Sequence, residues 1–299
     1  MSSDQLFAPI TVIIPSFMRR ESLLDTIEDL AHQTLKPEKV FVIDASPNEM
    51  RIQQSEILFD LNLHLLKYEE TPNVSAQRNL AIAQVTTPWI LFLDDDGRFE
   101  SALLETYMQL IKKMDIDGIS GLVKLPKYRK YYAVKKYRDK LRNVKAENYQ
   151  GDENIVETYV ICTANFLVRT AAVREIGGFD ENIMGIIDDV DLALRLRERK
   201  YKIIHHPLPE VLHLQIRNSG ARFFENSWAL TNLFYFQYRH FENPQSLSLL
   251  LDTLWHYCHP SRDWFHPALI LERIQSILFA HHESLERLEH APKLMSNFK

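Results

Sequence analysis

The chain has 299 residues, 45% of them apolar and 25% charged, with a net charge of -5. This balance suits a soluble globular protein with a sizeable core, and the acidity argues against a general nucleic-acid binder, which needs a basic surface. Two cysteines, Cys162 and Cys258, supply no disulfide framework, and neither a secretory leader at Met1–Pro9 nor a membrane-spanning apolar run is evident, so a cytoplasmic location is expected.

The first hundred residues alternate strand and helix signals. Ile10–Ile14 is a β-branched run closed by Pro15, read as a buried strand followed by a turn. Leu23, Leu24, Ile27 and Leu30 follow at helical spacing. Val40–Ile43 predicts a second strand ending at Asp44, Leu61–Leu66 a third, Ala76–Val85 a helix and Trp89–Leu93 a fourth strand. Such alternation implies a mainly parallel sheet with right-handed crossovers. Only eight glycines occur and no G-x-G-x-x-G follows the first strand, so a dinucleotide-binding cradle is absent.

Three aspartates, Asp94, Asp95 and Asp96, end the apolar run of the fourth strand. A buried strand there delivers carboxylates to its C-terminal end, where ligands of open α/β sheets sit. Adjacent carboxylates out of water need a counter-charge, and a hard divalent cation with oxygen ligands supplies one. An acidic turn in solvent is the bland alternative.

Between Lys124 and Lys145 ten basic residues stand against one acid, Asp139, with Tyr128, Tyr131, Tyr132 and Tyr137 interleaved. This is either a solvated face or a patch for anionic headgroups or a phosphate-bearing acceptor. A second acidic cluster, Asp188, Asp189 and Asp191, opens a helical stretch, where acids also serve to cap amides. Strand-like Tyr201–Ile204 follows, then His205 and His206 beside Pro207, read as a loop pair, then Val211–His213. Beyond Leu214 the chain is helical and aromatic, with apolar spacing that suits a core or a subunit interface, and so a homodimer. His256, His259 and His266 lack paired zinc-ligand spacing.

Taken in order, these pieces resemble the family 2 glycosyltransferases of the GT-A fold over roughly residues 9–240. Thr11–Phe17 resembles the family's opening strand and turn, Val42–Ser46 its second-strand acidic motif, and Gln77-Arg78-Asn79 its Arg-Asn helix. Phe92–Asp96 resembles its D-x-D motif, Asp188–Leu192 with Arg195-Leu196 its catalytic acidic motif, and Val211-Leu212-His213 its late metal histidine. The resemblance implies a Rossmann-like, mainly parallel central sheet with helices on both faces over residues 1–220. A C-terminal helical extension, residues 221–299, would serve packing, dimerisation or a membrane surface.

The implied activity is metal-dependent, inverting transfer from a UDP-, dTDP- or GDP-sugar to the hydroxyl of a saccharide or lipid-linked saccharide, for surface polysaccharide or glycolipid assembly. The enzyme would then be cytoplasmic, and peripheral on the inner membrane face. Pro15, Ser16, Phe17, Arg19, Asp44, Ser46, Arg78, Asn79, Asp94 and Asp95 are expected at the nucleotide sugar. Asp94, Asp96 and His213 are expected at Mn²⁺ or Mg²⁺, and Thr163 and Asn165 at the acceptor. The implied base is Asp189, then Asp188, then Asp191. Three departures from the pattern stand out: Ala45 replaces a second acid, Asp188 replaces a Glu, and the glycines near the Arg-Asn helix are missing. A sugar-nucleotide pyrophosphorylase is the nearest rival but would need a glycine-rich loop where Pro15–Arg20 stands. A non-catalytic nucleotide-binding scaffold is the other.

Overall fold

A computed structural model describes residues 7–57, 59–124, 156–158, 161–183, 185, 187–214, 227–240, 282–287 and 289. Strand β1 (Phe7–Ser16) lies in the middle of a mainly parallel sheet. It pairs in parallel with β2 (Lys36–Asp44) on one side and β4 (Trp89–Leu93) on the other, and β3 (Leu63–Lys67) extends the β2 edge. Beyond β4 come antiparallel β8 (Asn165–Arg169), then β6 (Gly118–Lys124) and β9 (Ile203–His213). Two short pieces, β5 (Gly97–Arg98) and β7 (Val156–Glu157), run antiparallel to β9. The helices include α1 (Arg20–Ala31), α2 (Val74–Ile82), α3 (Leu103–Lys113), α4 (Thr170–Glu175), α5 (Asp188–Glu198) and α6 (Ser227–His240).

Strand alternation sorts the apolar side chains into two cores, one on each face. Ile10, Val12 and Ile14 face one way with Val40, Val42 and Leu91, against Leu23, Ile27 and Leu30 of α1 and Leu104, Tyr107 and Leu110 of α3. Ile13, Phe41, Ile43, Ile90 and Phe92 face the other way, against Ala81 and Ile82 of α2, Val173 of α4 and Leu192 and Leu196 of α5. Each fully buried side chain of this kind contributes about 1.5–3 kcal/mol by leaving water, so the site stands on a well-anchored platform.

Two sequence expectations change. Pro15 does not close the first strand; β1 continues through it to Ser16, with Pro15 opposite Ile43 and Ser16 opposite Asp44. His205 and His206 are not a loop pair but lie within β9. The ladder to β6 slips there: Ser120 pairs with His205 and Leu122 with Glu210. Pro207 and Pro209 lack an N–H, and they fall inside that slip.

The chain divides into two compact units, Met1–Asp180 with Asp189–Ile216, and Glu181–Asp188 with Arg217–Lys299. In the second, Arg287 donates to the Asn182 carbonyl at 2.7 Å and to Asn232 Oδ1 at 3.0 Å, and Arg239 donates to the Tyr235 hydroxyl at 2.6 Å. Among the described residues no helix is long and apolar enough to cross a membrane. The basic segment expected to meet an acceptor or membrane lies, after Lys124, outside the described residues, as do the aromatic stretches at 247–255 and 269–281 and the histidines at 256, 259 and 266.

Candidate active site

All five residues of β4 are buried, so the strand carries no charge until it emerges at Asp94. A turn closed by Gly97 N–H donating to the Asp94 carbonyl at 3.3 Å folds the chain back into β5. There Gly97 sits opposite His213 of β9, and Leu214 N–H donates to the Asp96 carbonyl at 3.0 Å. This pairing joins residues more than a hundred positions apart. His213 Nε2 lies 2.9 Å from Asp96 Oδ1 and 3.5 Å from Asp94 Oδ2, and the three candidate ligand atoms lie within 4.8 Å of one another. Burial disfavours charge on His213, but its hydrogen bond to Asp96 and the fields of Asp94 and Asp96 outweigh that and raise its pKa. Helix α1 braces the turn: Asp29 accepts two 2.7 Å bonds from Arg98 and one from Phe99 N–H at 3.1 Å, and Thr26 donates to the Gly97 carbonyl at 3.0 Å.

Asp95, between the two candidate ligands, faces elsewhere. Its Oδ2 accepts from Ser16 Oγ at 2.7 Å and its Oδ1 from Arg19 Nη1 at 2.9 Å. Burial pushes its pKa up to about 6, against the opposing pull of Arg19 and Ser16. Ser16 and Arg19, expected at the nucleotide sugar, are thus tied to the aspartates.

The ends of β1 and β2 form one rim. Asp44 Oδ1 accepts from Ser46 N–H at 2.9 Å, Ser46 Oγ accepts from Met18 N–H at 2.6 Å, and Ala45 N–H donates to the Ser16 carbonyl at 3.0 Å. Beneath them the buried Gln77 amide donates to the carbonyls of Ser16 at 3.0 Å and Ile43 at 2.7 Å. Met18 holds a φ of 55°, a left-handed conformation for a side chain that prefers otherwise. Beside it Phe17 is 38% exposed.

Helix α2 starts earlier than its apolar pattern suggests, because Asn73 caps it by accepting from Ser75 and Ala76 N–H. One turn on, buried Arg78 donates from Nη2 to Asp94 Oδ1 at 3.4 Å and lies over the Phe179 ring, 5.1 Å from its centroid. Asn79 bridges the Phe179 backbone in both directions, donating to its carbonyl at 2.9 Å and accepting from its N–H at 2.8 Å. Its amide therefore braces a loop. Gly178 has a φ of +74°, and a Cβ there would strike the Asn79 amide, so both contacts require glycine.

Of the three base candidates, Asp191 is the most enclosed. It is fully buried and accepts from Arg195 Nε at 2.8 Å and Nη2 at 2.5 Å, while Arg195 Nη1 donates to the carbonyls of Ile176 at 2.9 Å and Gly178 at 2.6 Å. Two charge-assisted bonds to one guanidinium hold this carboxylate in place. Asp188 is buried, whereas Asp189 at the start of α5 is partly exposed and accepts from Val190 N–H at 2.8 Å. Cys162 relates Asp189 to the aspartate turn. Burial pushes its thiol well above the usual range, and the charges of Asp189 and Asp94 push it further.

Asn165, expected at the acceptor, is fully buried in a polar knot. Tyr107 donates to its Oδ1 at 2.6 Å, and its Nδ2 donates to the carbonyls of Leu122 at 3.1 Å and Pro209 at 2.9 Å. A Cβ at Gly121 would collide with the Asn165 amide, the Pro209 carbonyl and the Tyr107 hydroxyl, so that glycine is what lets these three meet. Thr163 is buried in the turn before β8.

Residues 11–177 match the family model described as "Glycosyl transferase family 2". The chain belongs to glycosyl transferase family 2. Its fold is GT-A. Over 94% of its length, and 91% of the other chain, it superposes on Staphylococcus aureus TarS residues 1–349 with a TM-score of 0.53 at 14% identity. Over 97% of its length, and 79% of the other, it superposes with a TM-score of 0.57 at 15% identity on the mannosyltransferase PcManGT of Pyrobaculum calidifontis in complex with GDP-Man and Mn²⁺.

In sequence, this family 2 member is 23% identical over 186 residues to the teichoic acid poly(glycerol phosphate) polymerase of Staphylococcus epidermidis, covering 60% of this chain and 24% of that protein. It is 26% identical over 112 residues to the amylovoran biosynthesis glycosyltransferase AmsB of Erwinia amylovora, covering 36% of this chain and 37% of that one. The chain thus spans well under half the length of these relatives.

Three supporting residues of the family 2 site escape a reading by motif. Gln77 stands in the quoted helix motif, yet nothing in the sequence announces that it sutures two strand ends. Asp29 and Arg98 show no motif at all. Asp191 and Arg195 did carry a signal, an acid and an arginine at i,i+4 on one helix face.

Proposed function

We propose that this chain transfers a sugar from a nucleoside diphosphate sugar to an acceptor hydroxyl, with inversion at the sugar carbon and with Mn²⁺ or Mg²⁺ as cofactor. The observation that carries the reading is the meeting of Asp94, Asp96 and His213 at the tip of β4, with their ligand atoms within 4.8 Å. The donor set suits such an ion: two carboxylates and an imidazole, with no thiolate. Asp94, Asp96 and His213 would hold the cation, which supplies positive charge to a departing diphosphate.

Asp44, buried at the end of β2, supplies a carboxylate to hydrogen-bond the nucleobase. Arg78 supplies a forked cation beside Asp94 for the phosphate oxygens. Asp189, partly exposed at the start of α5, accepts the proton of the acceptor hydroxyl as its oxygen bonds to the anomeric carbon. The bond from that carbon to the phosphate oxygen breaks on the opposite side, and the electron pair leaves with the nucleoside diphosphate. No covalent enzyme intermediate forms.

The GDP-Man and Mn²⁺ of PcManGT support the donor class, and the names of the polymerase and AmsB support a role in surface polysaccharide or related polymer assembly. A saccharide or lipid-linked acceptor at the inner membrane face follows from that role. The test is release of free nucleoside diphosphate from UDP-, dTDP- and GDP-sugars in the presence of candidate acceptors, with and without Mn²⁺. Cation-dependent nucleotide binding without release of diphosphate for any donor and acceptor pair would reject transfer in favour of a scaffold.

A further inference from the structure

Each of the two candidate metal carboxylates has its oxygens divided between His213 and an arginine. Asp94 turns Oδ2 to His213 and Oδ1 to Arg78. Asp96 turns Oδ1 to His213 and Oδ2 to Arg19, whose Nη1 lies 3.3 Å away. The same Nη1 donates to Asp95 Oδ1 at 2.9 Å, and Asp95 is fixed from its other oxygen by Ser16 at the end of β1. Arg19 is thereby held between the two carboxylates. Its side chain keeps 28% of its exposure, while Asp96 has none.

We infer that Arg19, anchored by the Ser16–Asp95 pair, is a positioning residue that fixes the rotation of Asp96 so that Oδ1 alone is offered to the cation. This deepens the metal reading above and rests on it. Asp95 then serves as Arg19's anchor and is not a ligand, since its oxygens turn to Ser16 and Arg19 and it stands outside the Asp94–Asp96–His213 group. A carboxylate with one oxygen restrained presents a single ligand atom and loses little rotational freedom when it binds an ion. Partners that orient a metal ligand in this way typically account for about 10–100-fold in metal affinity.

The sign of the effect separates this role from simple electrostatics. A guanidinium next to a cation site repels the cation, so if Arg19 were only a neighbouring charge, removing it would tighten binding. Orientation predicts the reverse. Both contacts pass through one nitrogen, so a lysine ammonium can stand in for it. Mn²⁺ would be titrated into the full chain, alone and with UDP or GDP, and free ion read by its electron paramagnetic resonance signal.

Arg19→Ala should weaken Mn²⁺ binding about tenfold, and Arg19→Lys should stay within about threefold of the unaltered protein, both with unchanged thermal unfolding in metal-free buffer. Equal or tighter binding by Arg19→Ala, or a loss in Arg19→Lys as large as in Arg19→Ala, would overturn the inference while leaving the metal site standing. Absence of Mn²⁺ binding by the unaltered protein would overturn both.

Discussion

The molecule carries two aspartate clusters of nearly the same composition, and their fates differ because they are built on different backbones. Asp94–Asp96 leaves a strand and enters a turn, so the first and third residues face the same side and converge on His213 while the middle one turns away to Ser16 and Arg19. Asp189 and Asp191 sit on a helix, where residues two apart point in nearly opposite directions. One stays partly exposed at the helix start, and the other is buried against Arg195. Spacing of acids therefore means little until the period of the backbone beneath them is known.

If Asp189 alone of its cluster is the base, Asp189→Asn should lower kcat by roughly 10²–10⁴-fold while donor affinity by calorimetry stays nearly constant. Turnover close to normal would pass the role to Asp188. If Asp191 is an anchor, Asp191→Asn should cost about 3–5 kcal/mol of stability, since it leaves Arg195 buried without its counter-charge. Urea unfolding measures this, and a change below about 1 kcal/mol would return Asp191 to the candidates for chemistry.

In the first cluster, Asp96→Ala should remove the Mn²⁺-dependent part of nucleoside diphosphate affinity, a loss of about 100-fold or more. Identical calorimetric titrations with and without the ion in the unaltered protein would dismiss the cluster as a metal site. The smallest effect tests whether the clusters share one site. Asp189 and Asp94 both raise the Cys162 pKa, so neutralising Asp189 lowers it and increases the thiolate fraction at any fixed pH below that pKa. Alkylation of Cys162 at pH 8, in a Cys258→Ser background, should then be slow in the parent and roughly threefold faster in Asp189→Asn. An unchanged rate would separate the two carboxylates.

Much of the platform was legible in the sequence because buried parallel strands spell themselves as unbroken apolar runs. Trp89–Leu93 is the plainest case, and its observed bounds are those expected. The polar parts were legible only where a motif marked them. No local pattern places His213 opposite Gly97; the family resemblance pointed to it, and strand pairing brings it there. No local pattern announces the enclosure of Asn165, because its partners come from β6, β9 and α3, each far away in the chain. His205 and His206 misled because proline nearby signals a break, and a ladder slip can hide one inside a strand.

The Gln77 suture bears on how such enzymes diversify. A neutral amide beneath the rim ties the Ser16 and Ile43 carbonyls together, while Phe17 and Met18 above it are part-exposed. Support and exposed surface are thus assigned to separate residues. Substitutions at the two outer positions can therefore accumulate over evolutionary time without loosening the floor beneath them.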